Sequence, residues 1–325
     1  MRPARLFVRS GLVLLALVMS FARAQPFPNK PLHLIVPWPA GGAGDYYARL
    51  LANEMSAPLG QPITVENTPG AGGTLGVGKA LKAPADGYTL LASSPIDTIL
   101  SPLVFAGAGY KSEDVRPIVI YARTDVMLVT RKTLPVSTPN EFIALLKSRA
   151  ERPLAYCSPG LGSLFHLVGE RLNAAAGVKS LHVPYSGMPQ CLKDMAGGDI
   201  DFAFLPISAP FTGFVDDGSI KAIAILGDAP HHRFPGVPLL SSSAGLESMS
   251  CSIWAGLHVH AKVPDDAAEA LNRRAAAALA SPELRRAVEQ SGATLLAPQT
   301  LQQAQAEYAR EIKSYTSFAR ALPRQ

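Results

Sequence analysis

Charge is scarce in this chain of 325 residues: Asp, Glu, Lys and Arg make up 17% of it, against 48% hydrophobic residues. That balance excludes an extended acidic or basic tail, and no Gly-X-Y period marks a collagen-like rod. Cysteine is scarcer still. Cys157, Cys191 and Cys251 are too few to staple a disulfide scaffold, and none has C-x-x-C or zinc-finger spacing. At most one intramolecular disulfide can form among them, and three buried small apolar side chains are the simplest expectation. Beyond residue 24 no apolar run approaches the roughly 18 residues of a membrane-spanning helix. A repeat with a period of roughly 20–50 residues is also missing, which excludes solenoids.

The first 24 residues lack acidic side chains. Arg2, Arg5 and Arg9 precede an apolar run from Gly11 to Ala22, and Ala22-Arg23-Ala24 offers a small-x-small cleavage pattern. Residues 1–24 therefore read as a signal peptide cleaved near Ala24-Gln25, with no Cys there to carry a lipid anchor. The mature protein is expected to be exported and soluble. Without the leader, 26 of the 30 basic residues face 25 acidic ones with no basic cluster, so nucleic acid is not an expected partner.

The remaining sequence alternates β-rich runs with helical patterns. Strands are expected at Leu32–Val36, Ile63–Glu66, Thr89–Ala92, Pro117–Tyr121, Val126–Thr130, Leu154–Cys157, Leu181–Val183, Asp201–Leu205, Ile220–Leu226 and Ile253–His260. Thr138 and Glu141 form a capping box that opens a helix over Glu141–Ala150, and Gly177 closes an apolar-faced helix through Leu164, Val168 and Leu172. Thr300 and Gln303 open a long terminal helix in the same way. Such alternation predicts an α/β fold, with helices on both faces of its sheets. The paired runs around Ala122–Asp125 read as a crossing between domains, and the Ser-rich stretch before Ile253 as the return. Two crossings imply a discontinuous lobe, 25–123 plus 246–325, and a continuous one, 124–245, with a ligand cleft between them.

Chemistry has few places to reside. Strand Leu32–Val36 runs into Pro37-Trp38-Pro39-Ala40-Gly41-Gly42-Ala43-Gly44-Asp45, and a helix with Ala48, Leu51 and Met55 on one face follows. Free N–H groups and the helix dipole make such a turn an anion site, with Asp45 expected to cap the helix. In a second Gly-rich run, Gly73 to Lys79 matches a P-loop until Ala80, which has no hydroxyl for Mg²⁺. A third strand–turn–helix, Tyr156 to His166, offers Ser158 and Ser163 but no G-x-S-x-G elbow. His166 is expected on a polar stripe, paired with Glu170. The remaining histidines lack a third ligand at any definable spacing, so no metal, no cofactor and no catalytic residue is expected.

The segment Val36-Pro37-Trp38-Pro39-Ala40-Gly41-Gly42-x-x-Asp45-x-x-Ala48-Arg49 resembles the signature of the periplasmic substrate-binding proteins of tripartite tricarboxylate transporters, the Bug or TctC-like family. Glu66-Asn67, Pro69-Gly70-Ala71-Gly72-Gly73, Asp86-Gly87-Tyr88-Thr89-Leu90-Leu91, Ser158-x-Gly160-x-Gly162-Ser163-x-x-His166, Val183-Pro184-Tyr185-x-Gly187, Gly198-x-Ile200-Asp201 and Trp254-x-Gly256 follow in order. The resemblance implies a two-lobed periplasmic-binding-protein type II fold that closes on a small organic carboxylate. It also implies transient contact with membrane transporter subunits, a monomer, and location in the periplasm. Carried over by position, the ligand-binding set is Trp38, Pro39, Ala40, Gly41, Gly42, Asp45, Ser93 and Ser94 from one lobe. Ser158, Gly160, Gly162, Ser163, Tyr185 and Asp201 come from the other. Gly44 stands where relatives often have Ser or Thr, and Tyr46 and Tyr47 where smaller residues are usual, which points to an aromatic pocket entrance. Two other function classes compete with transport: an orphan subunit presenting the ligand to a membrane kinase, and an exported hydrolase, for which no activated nucleophile can be assembled.

Overall fold

The computed structural model describes residues 27–105 and 107–320, so the expected leader and its cleavage point lie outside the described residues. The chain opens with β1 (Leu32–Val36), α1 (Ala43–Leu59), β2 (Ile63–Asn67), α2 (Thr74–Lys82) and β3 (Thr89–Ser93). A π-helical turn, Ile96–Leu100, and the short α3 (Ser101–Val104) lead to β4 (Val115–Arg131). The middle of the chain forms α4 (Pro139–Ser148), β5 (Ala155–Ser158), α5 (Leu164–Ala176), β6 (Leu181–Pro184) and α6 (Met188–Gly197). It continues through β7 (Phe202–Pro206), α7 (Ala209–Asp216) and β8 (Ile220–Ile225). The last section holds β9 (Ser252–His260), α8 (Asp265–Leu279), α9 (Pro282–Gln290), β10 (Thr294–Leu295) and α10 (Leu301–Arg320).

The strand order is β2-β1-β3-β9-β4-β7-β5-β6, with β8 and β10 also pairing with β4. β4 belongs to both halves of this array. Its first part, Val115 to Asp125, runs antiparallel to β9, and its last part, Val126 to Arg131, pairs with β7 and β8. The two runs expected as separate strands are thus one strand of 17 residues. Nearly every residue from Val115 to Thr130 is apolar or buried, so nothing in the segment forces a turn. Parallel β1, β2 and β3 dominate one half, and parallel β5, β6 and β7 the other.

Each half buries its own core. Leu34, Val36, Leu51 and Met55 pack with Leu257 and Leu271 in the first, while Leu128, Phe142, Tyr156 and Phe202 sit in the second. The Thr138 box forms as expected, with Thr138 Oγ1 accepting from the Glu141 amide at 3.2 Å and Glu141 Oε2 accepting from the Thr138 amide at 3.3 Å. The helix it opens starts at Pro139 and ends at Ser148, two residues earlier at each end than the sequence suggests. Thr300 and Gln303 close the corresponding box before α10, at 2.9 and 3.2 Å. The cysteines depart from expectation. Cys157 on β5 and Cys191 on α6 form a disulfide, their Cα atoms 6.2 Å apart, and only Cys251 is a free thiol. Core packing brings the strand and helix together at disulfide range, which a separation of 34 residues does not reveal.

Candidate functional site

The start of α1 and the β1–α1 loop before it are held by hydrogen bonds among their own residues and Asn67. Gly41 takes a φ of 77°, in the left-handed region where a side chain would be strained. Gly42, with φ −85°, is the N-cap of α1, so Asp45 lies within the first turn and does not cap it as the sequence reading expected. From there its carboxylate reaches back to accept the Gly41 amide at 2.9 Å. Arg49 Nε at 2.9 Å and Asn67 Nδ2 at 3.0 Å bond to its other oxygen. Burial raises the Asp45 pKa, but the hydrogen bonds from Arg49, Gly41 and Asn67 outweigh this and hold it below the ordinary carboxylate value. Asp45 is therefore spent inside the loop.

The Gly42 amide donates to Pro39 O at 3.3 Å. The amides of Ala43 and Gly44, at the open end of α1, meet no acceptor among the described residues. A Cβ at Gly44 would stand 3.0 Å from Trp38 Cδ1, so glycine here lets the indole lie against the helix start. Trp38 Nε1 donates to Asp97 Oδ1 at 3.2 Å, and the Ser94 amide and hydroxyl reach the same oxygen at 3.1 and 2.6 Å. Asp97 is fully buried. Desolvation pushes its carboxyl up to about 7, against the bonds from Ser94 and Trp38 that favour the anion. Beside it, Ser93 Oγ lies 2.7 Å from Nδ1 of His258, whose imidazole is pushed down to about 3 by burial and is therefore neutral.

The opposite wall comes from the second half. Ser158 Oγ is 2.7 Å from His182 Nε2, and Ser163 caps α5 by accepting the His166 amide at 3.3 Å. His166 is not on a polar stripe. It is buried, its Nδ1 accepts from the Gly162 amide at 3.1 Å, and its ring lies 4.1 Å from that of His182. Glu170 instead accepts from Tyr156 Oη at 2.7 Å. Burial pushes His182 down to about 4, so its ring is neutral near neutral pH, and burial also lowers His166.

Between the walls lies a cavity of about 110 Å³. Of the residues expected from the sequence, Trp38, Pro39, Gly42, Ser93 and Ser94 line it. Ala40 and Gly41 of the β1–α1 loop and Asp45 of the first turn of α1 do not line it, and neither do Ser158, Gly160, Gly162 and Ser163, whose neighbours Pro159 and Phe165 do. Tyr185 does not line it; its hydroxyl donates to Asp194 Oδ2 at 2.7 Å. Nor does Asp201, which accepts from Arg131 Nε at 2.8 Å and the Ala155 amide at 2.9 Å. Tyr47 enters the wall and Tyr46 does not, so the aromatic entrance is half of what the sequence suggested. Sequence reasoning missed Tyr121, Arg123, Met188, Phe211 and Trp254. Only Trp254, inside the Trp-x-Gly pattern, carried a local signal.

The N-terminal residues of four helices meet at this cavity: Ala43 and Gly44 of α1, Phe165 of α5, Met188 and Pro189 of α6, and Phe211 of α7. Helix N-termini carry partial positive charge, which favours an anion without spending a cationic side chain. The free amides are those of Ala43 and Gly44, since Phe211 N already donates to Ser208 O at 2.9 Å and Pro189 has no N–H. Among the described residues no group of three His, Cys, Asp or Glu is placed to hold a metal ion. No described helix is long and apolar enough to cross a membrane.

The protein family described as the tripartite tricarboxylate transporter family receptor matches residues 47–315. The chain is 32% identical over 286 residues to a UPF0065 protein from the tcbD-tcbE intergenic region of Pseudomonas sp. strain P51, covering 86% of this chain and 84% of that one. It is also 32% identical over 277 residues to BugT of Bordetella pertussis, covering 83% of each. Among solved structures, the periplasmic binding protein BugD superposes with a TM-score of 0.84 at 26% identity, over 90% of this chain and 98% of that one. MatC from Rhodopseudomonas palustris, with bound malate, gives 0.83 at 27% identity, over 90% and 100%. An R. palustris protein with adipate gives 0.83 at 27%, over 90% and 97%. The fold that builds this cavity is thus the two-lobed periplasmic-binding fold, and the chain belongs to the tripartite tricarboxylate transporter receptors of the Bug and TctC type.

Proposed function

We propose that this chain is a periplasmic solute receptor that captures a small organic carboxylate and delivers it to the membrane subunits of a tripartite tricarboxylate-type transporter. The convergence of four helix N-termini on one cavity, with unpaired amides at Ala43 and Gly44, is the observation that carries the reading. Related proteins hold malate and adipate, both carboxylates. In this reading Trp38, Pro39, Gly42, Ser93 and Ser94 contact the ligand, and Ala40, Gly41 and Asp45 hold the loop that presents them. The lobes are 25–123 plus 246–325 and 124–245, and residues 1–24 are removed on export.

Ser93 supplies a hydroxyl to the carboxylate. His258 Nε2 is buried without a partner, and a lone pair left unmet costs less than an unmet N–H. The proton therefore sits on Nδ1, which donates to Ser93 Oγ and leaves the serine O–H for the ligand. The same geometry speaks against hydrolysis. A serine nucleophile needs an imidazole that can accept its proton and a carboxylate that steadies the resulting cation, and His258 has neither the basicity nor the second partner. Native mass spectrometry of the mature protein tests the reading: a bound mass identified as a small carboxylic acid is expected. A neutral or cationic ligand released in its place would overturn it.

A further inference from the structure

Resting on that reading, we infer that the ligand is a monocarboxylate with an apolar body, aromatic or branched aliphatic, and not a di- or tricarboxylate. Arg123 is the one charged residue lining the cavity among the described residues, and its charge is already taken. Its guanidinium meets Glu307 at 3.0 Å and Glu311 at 3.3 Å, both on α10, so two carboxylates surround one cation. A second ligand carboxylate would find no free positive charge there and an excess of negative charge close by. The histidines of the second half cannot substitute, because neither His182 nor His166 lines the cavity, and burial pushes His182 down to about 4.

The side chains of Tyr47, Tyr121, Phe165, Met188, Phe211 and Trp254 make up much of the wall, and three of them, Phe165, Met188 and Phe211, project from the helix N-termini themselves. Such a surface is stabilised by covering it with carbon, and it gives nothing back to a carboxylate that has left water. Among the polar atoms of these side chains, the Tyr47 hydroxyl is taken up by Ser291 at 3.0 Å, whereas Trp254 Nε1, on a residue only 1% exposed, is a buried donor with no partner. It can take a single acceptor oxygen, which suits one carboxylate, ether or carbonyl. The volume agrees with the chemistry. A cavity of about 110 Å³ is of the same order as the roughly 150 Å³ apolar cavity that holds benzene, so the body is about one ring in size.

Calorimetry on the mature protein, freed of co-purified ligand, tests this with benzoate, phenylacetate and 3-methylbutanoate against malate and adipate, with benzamide as the uncharged isostere of benzoate. At least one apolar monocarboxylate should bind ten times more tightly than either dicarboxylate, and benzamide at least ten times more weakly than benzoate. Tighter binding of malate or adipate overturns the apolar assignment and leaves the carboxylate reading standing. Benzamide binding as well as benzoate overturns the carboxylate reading and this inference with it. A Glu307→Gln, Glu311→Gln variant releases Arg123 and should tighten adipate at least fivefold while moving the monocarboxylates less than twofold. Adipate binding that does not change would overturn the exclusion assigned to the ion cluster.

Discussion

Asp97 is fully buried, and it holds Trp38 and Ser94 at the edge of the cavity through three hydrogen bonds of 2.6 to 3.2 Å. Its pKa, raised by desolvation from 3.8 to about 7, means that the folded chain binds more protons than the unfolded one between those values. Stability from this group is therefore complete below pH 3.8 and is lost as pH rises through about 7. Asp97→Asn keeps an acceptor for Trp38 and removes the titration. The stability of wild type relative to the variant should fall by roughly 1 kcal/mol per pH unit over that window. Urea unfolding of both proteins at several pH values reads this directly, and parallel profiles would show that Asp97 does not titrate as assigned. His258 and His182 work differently: burial makes them neutral hydrogen-bonding rings for Ser93 and Ser158 throughout the physiological range.

At the scale of elements, the second half is pinned by a covalent link between β5 and α6. The Cys157–Cys191 disulfide closes a loop of 34 residues that contains α5 and β6, and it restricts the unfolded chain over that span. Replacing both cysteines by alanine should cost about 2–4 kcal/mol in denaturant unfolding. A reducing agent should lower wild-type stability by a similar amount and leave the double variant alone; insensitivity of the wild type to reductant would contradict the disulfide. The third cysteine should be inert, since burial pushes the Cys251 thiol up to about 12 and leaves almost no thiolate to react. Helix α1 shows the complementary case, an element start built without a covalent tie. Asp45, Arg49 and Asn67 bind one another and the Gly41 amide, and their mutual bonds keep the loop shaped while the next amides stay open.

For the whole molecule, the two cores meet along β4 and the segment that enters β9. Leu226 N donates to Val126 O at 2.7 Å, Cys251 N to Leu226 O at 2.6 Å, and Val126 N to Cys251 O at 3.1 Å. These bonds gather the crossing strands into one narrow seam, and bending there would move the Pro159 wall against the Trp38 wall. Small-angle scattering should record a smaller radius of gyration at saturating ligand than without it. An unchanged radius would mean that the lobes do not close.

Much of this was legible in residue order. Short β-rich runs marked the β1, β3, β5 and β7 strands, which are buried almost throughout, and the 3.6-residue period marked α1 and α5, which bury one face in a core. The Thr138 and Thr300 boxes were readable because a cap is a contact between residues three apart. The β1–α1 turn stood out for a similar reason: Gly41 N donates to Asp45 and Gly42 N to Pro39 O, through bonds spanning four residues or fewer. What residue order could not settle were contacts made across the chain. The Cys157–Cys191 bond, the buried place of His166 and the saturation of Arg123 by Glu307 and Glu311 all depend on packing between distant elements. The sequence by itself determined an α/β chain with a glycine-rich first turn closed by its own residues, since local hydrogen bonds and periodic burial suffice for that. Only the tertiary structure decided that four helix starts share one apolar cavity, because their convergence is a property of the sheet order and no local segment encodes it.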